Sequence, residues 1–472
     1  MKKRMAHVLG GSIFLLLVLG IGWIANGVLN TNVRSYVTTD TPDADGCQVL
    51  FFGTSQGAND LNPVTVWDTA GIMSYNFCAA GQYIGTTYYV MQDVLNRQSP
   101  KAVVLDFESL TRPDDFLTIS NKLSSLPMIA DPRLRFEMYR DVIHDSPAWF
   151  LPFFRYHNRW KEITRNDARR EYDVMGCMGR TEVQAETGLF AGFEQEPKAI
   201  AVREREMQYL EQILALCKEK GCGLFLVNLP AYDTEEAGGQ NRWIREWAAG
   251  QGIPYCDANT PEAYEAMGLL AADFADGHHL NIRGQEKVSA FLGQWLSDEA
   301  GLADMRKAQA EAFAFEERLA RYRSVHTDRK IMMAESFEEV VSLLAEGSYT
   351  AAFSLDGVYM RYEGEIWPAL KKAGVTRTMF ERGGGFVRGQ TGEWLFDSMG
   401  AESCLWSLVL YDDDLVLRGH TEYDGEGNGV LRIELIMDRS DQSKVKDGVN
   451  VLVYSHSQRT FLKCVGIGLS GE

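Results

Sequence analysis

Proline is scarce, 13 residues in 472, and with 45% hydrophobic, 24% charged and 11% aromatic residues the composition excludes a disordered, collagen-like or low-complexity chain. Basic residues are also in deficit. Lys and Arg number 47 against 65 Asp and Glu, a formal net charge of -18, so a strand of phosphates meets repulsion instead of a counterion-releasing surface. Nucleic acid is therefore a poor partner. Cysteine is sparse as well: the eight, at 47, 78, 177, 217, 222, 256, 404 and 464, are too few for a disulfide scaffold, although an even number can pair outside a cell. Cys217 and Cys222 have four residues between them and no His or Cys companion at a zinc spacing, so they read as buried or bridged thiols and not as metal ligands. Cofactor motifs are missing too. Gly383-Gly384-Gly385 lacks the Lys-Ser/Thr ending of a phosphate loop, and Asp412-Asp413-Asp414 lacks the spaced oxygens of a calcium loop; both read as turns. No cofactor and no metal is expected.

Long apolar runs are absent but for one. After Met1-Lys2-Lys3-Arg4, the stretch Val8 to Leu29 is broken only by Ser12 and Asn26, and at 1.5 Å per residue it reaches roughly 33 Å, enough to cross a hydrocarbon layer. Its length and the lack of a clear cleavage site favour an uncleaved anchor over a signal peptide. The cations before the span keep the N-terminus cytoplasmic, with the remaining domains extracytoplasmic and the protein single-pass in the cell membrane.

At 472 residues two or three folding units are expected. Residues 1–30 form the tip and anchor. From 45 to 300, short apolar strands (Val49 to Phe52, Ala102 to Phe107, Leu224 to Asn228, Ile253 to Asp257) alternate with helical stretches (Thr86 to Asn96, Val202 to Glu219, Asn241 to Ala249, Gln285 to Leu296). That alternation predicts an α/β fold, a doubly wound parallel sheet that places ligands at the carboxyl ends of its strands. An aromatic and charged stretch, 111–200, including Trp149, Phe153, Phe154, Tyr156 and Trp160, reads as a helical insertion whose aromatics belong to a core more readily than to a ligand platform. Residues 301–330 read as a connecting helix, and 331–472 as a β-rich accessory domain with strands near 405–411, 415–419, 430–437 and 449–454.

Two fragments carry chemistry. Gly53-Thr54-Ser55 directly follows the first strand, and Asp276-Gly277-His278-His279-Leu280-Asn281 precedes the last helix of the α/β region. A serine hydroxyl attacks an acyl carbon when a histidine removes its proton, and the histidine needs a carboxylate to fix its tautomer. Asp276 and His279, three positions apart, can both face Ser55 from one tight turn. The bland alternatives stand beside this reading: Ser55 as a turn or helix cap, and Asp276 with His278 and His279 as a cap or metal group.

In Gly53-Thr54-Ser55, Asn76-Phe77-Cys78-Ala79-Ala80-Gly81 and Asp276-x-x-His279 the sequence resembles the first, second and fifth blocks of the SGNH/GDSL hydrolase superfamily, over about residues 47–298. It is most similar to the membrane-anchored, cell-surface branch that includes the teichoic-acid D-alanyl transfer protein and the alginate O-acetyltransferases, to which Phe154-Arg155-Tyr156-His157-Asn158-Arg159-Trp160 and His279-Leu280-Asn281-x-x-Gly284 also correspond. The resemblance implies a flavodoxin-like sheet, Ser55 as nucleophile, His279 as general base, Asp276 as its orienting acid, and the backbone N–H groups of Ser55 and Gly81 as oxyanion donors. Two departures stand out. Thr54 replaces the usual Asp before the nucleophile, and Asp106-Phe107-Glu108 stands where a Gly-x-Asn-Asp block would supply a third donor; Asn228, at a strand end, is the substitute considered, against its simpler role as a turn former. The C-terminal region is weakly similar, at Phe353 to Gly357 and Gly448 to Tyr454, to the β domain of interleukin-like EMT inducers, which implies a β sandwich for glycans or partners.

The expected function is a membrane-anchored esterase or O-acyltransferase acting on acyl groups of a cell-surface polysaccharide or cell-wall polymer. A transferase would need a separate multi-span membrane protein to deliver the acyl group. The rival is a catalytically silent glycan-binding or envelope-organising protein on the same fold, for which the missing third block speaks.

Overall fold

A computed structural model describes residues 44–112, 125–144, 175–184, 197–232 and 234–468, apart from short gaps at 357–358, 399–400, 402, 412, 424–428 and 446–447, with scattered positions in 14–22 and 118–122. The predicted transmembrane helix falls almost wholly outside the described residues, as do residues 145–174 of the expected helical insertion with its Trp149 to Trp160 aromatics. Among the described residues no helix is long and apolar enough to cross a membrane. Two compact units are formed, Met1–Met178 with Val183–Phe315, and Gly179–Glu182 with Glu316–Glu472.

The first unit is an α/β domain on a five-stranded parallel sheet. Its strands are β1 (Val49–Phe52), β2 (Ser74–Asn76), β3 (Ala102–Asp106), β4 (Gly223–Asn228) and β5 (Tyr255–Asp257), in the order β2-β1-β3-β4-β5, which is the doubly wound order of flavodoxin. Every pairing is parallel. The central strands are apolar on both faces because helices cover both; all four residues of β1 are fully buried. The helices are α1 (Ser55–Asp60), α2 (Pro63–Ala70), α3 (Ile84–Leu95), α4 (Pro132–Met138), α5 (Glu204–Lys220), α6 (Glu235–Gln251), α7 (Pro261–Met267) and α8 (Ile282–Glu299). Local chemistry sets their ends. Asn62 caps α2 with Pro63 at its first position, and Gly71, Gly221, Gly252 and Gly268 end α2, α5, α6 and α7 in left-handed conformations. One face of the sheet packs Val49, Phe51, Val104 and Val227 against Val66 of α2 and Val288, Leu292 and Leu296 of α8.

The second unit holds two antiparallel sheets and more helix than the sequence texture predicts. Helix α9 (Gln309–Met333), which begins in the first unit, is followed by α10 (Phe337–Leu343), β6 (Tyr349–Asp356), α11 (Glu363–Lys372), α12 (Arg377–Arg382), β7 (Gly384–Arg388), β8 (Trp394–Asp397), β9 (Cys404–Leu410), β10 (Asp413–Tyr423), β11 (Gly429–Met437), β12 (Ser440–Asp441), β13 (Gly448–Ser455) and β14 (Thr460–Gly468). One sheet runs β14-β13-β6-β7-β8 and the other β12-β11-β10-β9. Ala352, Val387, Leu417, Leu435 and Leu452 fill the space between the sheets, while Phe337, Val340, Ile366 and Leu370 of α10 and α11 cover the outer face of the longer one. The expected turns at Gly383 to Gly385 and Asp412 to Asp414 are corrected in part: Gly383 ends α12 at φ +67°, but Gly384 and Gly385 open β7, where Leu417 and Ile433 from the facing sheet leave no room for a side chain at Gly385, and Asp413 and Asp414 open β10, Asp412 lying outside the described residues. Strand β9 lies at a sheet edge, carries no charge, and exposes Leu405 and Val409 by 75% and 69%.

Candidate active site

Strand β1 delivers Gly53, Thr54 and Ser55 to the carboxyl edge of the sheet, and Ser55 is the first residue of α1. The turn is tight because Gly53, at φ +152°, lies against β3; a Cβ there would stand 2.5 Å from Asp106 Cβ and 2.8 Å from the Asp106 carbonyl oxygen. Only glycine fits that approach. Thr54 caps the helix, its hydroxyl oxygen accepting the Gln56 N–H at 3.2 Å.

Asp106 organises this turn. Its Oδ2 accepts the Thr54 N–H at 2.9 Å, the Thr54 hydroxyl at 2.8 Å and the Gly57 N–H at 3.1 Å, and its Oδ1 accepts the Glu108 N–H at 2.9 Å. The Thr54 N–H is thereby occupied, the Gln56 N–H is taken by the Thr54 hydroxyl oxygen, and the Ser55 N–H between them, at the first helical position, has no intrahelical partner. Burial, reinforced by the Glu108 charge, pushes the Asp106 carboxyl up to about 6 despite those hydrogen bonds. Glu108 contacts both the Thr54 hydroxyl and Arg112, whose carbonyl accepts an Arg203 N–H at 2.8 Å.

The loop between α7 and α8 brings the histidine. Asp273 O accepts the Asn281 N–H at 2.9 Å, His279 O accepts the Ala275 N–H at 2.9 Å, and Phe274 and Leu280 form an isolated antiparallel bridge, so residues 273–281 close into a narrow turn. His279 Nδ1 lies 2.9 Å from each Asp276 carboxylate oxygen, and His279 Nε2 lies 2.9 Å from Ser55 Oγ. With the ring proton on Nδ1 donated to Asp276, Nε2 is left to accept the Ser55 hydroxyl. The His279 side chain is 17% exposed and Asp276 42%, so the dyad borders solvent. The His278 N–H donates to Asp276 Oδ1 at 2.9 Å, and burial first, then the Arg112 charge, lowers the pKa of its ring. Among the described residues no cluster of His, Cys, Asp or Glu is arranged to hold a metal, and none of the eight cysteines is in a disulfide.

The two proposed oxyanion donors stand on neighbouring segments. Phe77 N–H donates to Phe51 O at 2.7 Å and Ala79 N–H to Gly53 O at 3.1 Å, which ties the turn bearing Gly81 to the strand end bearing Ser55. Gly81 has φ +67°, and a Cβ there would meet the Asn121 amide at 2.6 Å. Asn228 is placed differently. It sits on β4, with β3 between it and β1, and its amide donates to Asp257 Oδ1 of β5 at 2.9 Å. Sequence reading missed the role of Asp106, and the available signal was its position at the carboxyl end of the strand next to β1.

No family model matches the chain, and no curated protein matches it. Among solved structures, similarity extends to a candidate acylhydrolase from Bacteroides fragilis NCTC 9343, 13% identical, covering 57% of this chain and 98% of that one at a TM-score of 0.29. A GDSL-like lipase from Bacteroides thetaiotaomicron VPI-5482 is 14% identical, covering 58% of this chain and 94% of its own at a TM-score of 0.27. Scores of this size carry no functional weight, and the chemistry rests on the residues themselves.

Proposed function

We propose that the protein is an SGNH-like serine esterase or O-acyltransferase, held in the cell membrane by residues 8–29 with its two units outside, and acting on ester-linked acyl groups of a cell-surface polysaccharide or cell-wall polymer. The observation that carries this reading is the continuous chain Ser55 Oγ, His279 Nε2, His279 Nδ1, Asp276, with 2.9 Å at each link. Ser55 Oγ attacks the ester carbonyl carbon as its proton passes to His279 Nε2, and Asp276 steadies the imidazolium. The tetrahedral oxyanion is held by the N–H groups of Ser55 and Gly81. Collapse expels the alcohol, which takes the proton from His279 and leaves an acyl-serine. Water then attacks in an esterase, or a sugar hydroxyl in a transferase, with His279 again as base. Transfer would call for a multi-span membrane partner that supplies the acyl group, and the antiparallel second unit is the candidate for holding polymer.

The test is fluorophosphonate labelling of the full-length chain in detergent with peptide mass spectrometry. Ser55 is expected to be modified, and Ser55→Ala and His279→Ala to be unmodified at the same exposure. Absence of labelling in folded wild type would return the protein to the silent, polymer-binding class.

A further inference from the structure

Helix α1 is six residues long, and both ends touch the histidine loop. At its start, Ser55 Oγ meets His279 Nε2. At its end, Asp60 Oδ1 accepts the N–H of Leu280, the residue directly after His279, at 2.9 Å. The loop's own hydrogen bonds, Ala275 and Asp276 N–H to His279 O and Asn281 N–H to Asp273 O, fix its shape but not its distance from α1. Asp60 spans that gap.

The carboxyl is an expensive choice for so plain a task. Asp60 is fully buried, Oδ2 has no hydrogen-bond partner, and burial, with the Asp106, Glu108 and Asp276 charges behind it, pushes its pKa well above the ordinary carboxylate value. A buried, poorly satisfied carboxyl contributes little to stability, and its one side-chain hydrogen bond goes to the neighbour of the base. The surroundings make that bond rigid. Asp60 O accepts the Ser289 hydroxyl of α8 at 3.1 Å, and Ser289 Oγ accepts the Asn62 N–H at 2.8 Å, so the end of α1 cannot drift from the helix that follows the loop.

We propose that Asp60 is a positioning residue: by gripping the Leu280 amide it sets the separation of the His279 imidazole from the Ser55 hydroxyl. This rests on the reading of Ser55, His279 and Asp276 as a catalytic triad. A misplacement of about 1 Å costs on the order of 100-fold in rate, so loss of the grip is read in the chemical step and not in binding.

The experiment measures kinact and KI for a fluorophosphonate on the full-length wild type, Ser55→Ala, Asp60→Asn and Asp60→Leu, with melting temperatures alongside. Asp60→Asn keeps a carbonyl oxygen for Leu280 and is expected to hold kinact within about threefold of wild type. Asp60→Leu has no acceptor and is expected to lower kinact by about 10- to 100-fold with KI unchanged. A purely structural role would move both variants in proportion to lost melting temperature, and that pattern, or wild-type kinact in Asp60→Leu, overturns the proposal. Should Asp60→Leu fail to fold, Asp60→Ala is read the same way. If wild type is not labelled, or Ser55→Ala is labelled, the triad reading fails and the clamp with it; if Ser55→Ala is silent while the Asp60 variants all react like wild type, the clamp alone fails.

Discussion

Replacing Asp106 by Asn probes a carboxyl that the nucleophile turn needs and that burial opposes. Its folded pKa is pushed up to about 6 against an ordinary value of 3.8. The folded state therefore holds the proton more tightly than the unfolded chain, so this group's contribution to stability is fully present below 3.8 and is lost as pH rises through about 6. The gap between those values corresponds to about 3 kcal/mol lost from roughly pH 4 to pH 7. Asparagine has nearly the same shape and does not titrate, so Asp106→Asn should lack this decline. It also turns a donor toward either the Glu108 N–H or the Thr54 and Gly57 N–H groups, a fixed cost of about 1–3 kcal/mol at every pH. The quantity to read is thus the slope. Urea unfolding followed by circular dichroism at several pH values, in a Glu108→Gln background that silences the neighbouring acid and leaves burial as the main cause of the shift, should show the Asp106 protein losing stability relative to Asp106→Asn as pH rises, by less than about 3 kcal/mol. Parallel curves for the two proteins would refute the assignment of a strained, proton-hungry carboxyl beneath Ser55.

Asp276→Asn should preserve the fold and reduce kcat for an activated acetate ester by about 10²–10⁴-fold, because an amide favours the wrong histidine tautomer; less than a tenfold loss would remove Asp276 from the triad. Gly53→Ala meets Asp106 backbone and side-chain atoms at under 3 Å, so destabilisation of about 2–4 kcal/mol is expected, and a variant with wild-type stability would contradict the packing of the turn. Asn228→Ala loses the Asp257 contact and should leave the labelling rate within about twofold, whereas a fall on the order of 100-fold would restore Asn228 as an oxyanion donor. Thr54→Ala removes both the cap of α1 and the hydroxyl's bond to Asp106 and should cost at least about 0.5–2 kcal/mol by thermal unfolding, with a neutral outcome counting against both contacts.

What the sequence made legible follows the physics of each element. β1, β3 and β4 are continuous apolar runs because both sheet faces are covered, and such runs announce themselves. β2 did not: Ser74-Tyr75-Asn76 is three residues long and polar at both ends, and its Asn76 is buried because its amide bonds the Gly57 and Leu61 carbonyls, a tertiary reason. In the second unit α10, α11 and α12 are short helices amid strand-rich sequence, and Gly384-Gly385 reads as a turn until the facing sheet is seen to need the space. Ser55, Asp276 and His279 were nameable because each lies in a compact local pattern at an element boundary. Asp106 and Asp60 were not, since their partners, Gly57 and Leu280, lie 49 and 220 residues away and only strand adjacency and loop closure bring them near.

Strand β9 gives the second unit an edge open to self-association. Its outer edge pairs with no strand among the described residues, its seven side chains are uncharged, and Leu405 and Val409 stand in water. Such an edge is a template for sticking, and what holds copies apart is the repulsion of chains that each carry a net charge of -18. Salt shortens that repulsion to about 8 Å at physiological ionic strength. Colloidal stability should therefore fall as salt rises, the reverse of ordinary salting-in, and Ser407→Lys, a single charge set in the middle of the strand, should abolish the effect in light scattering.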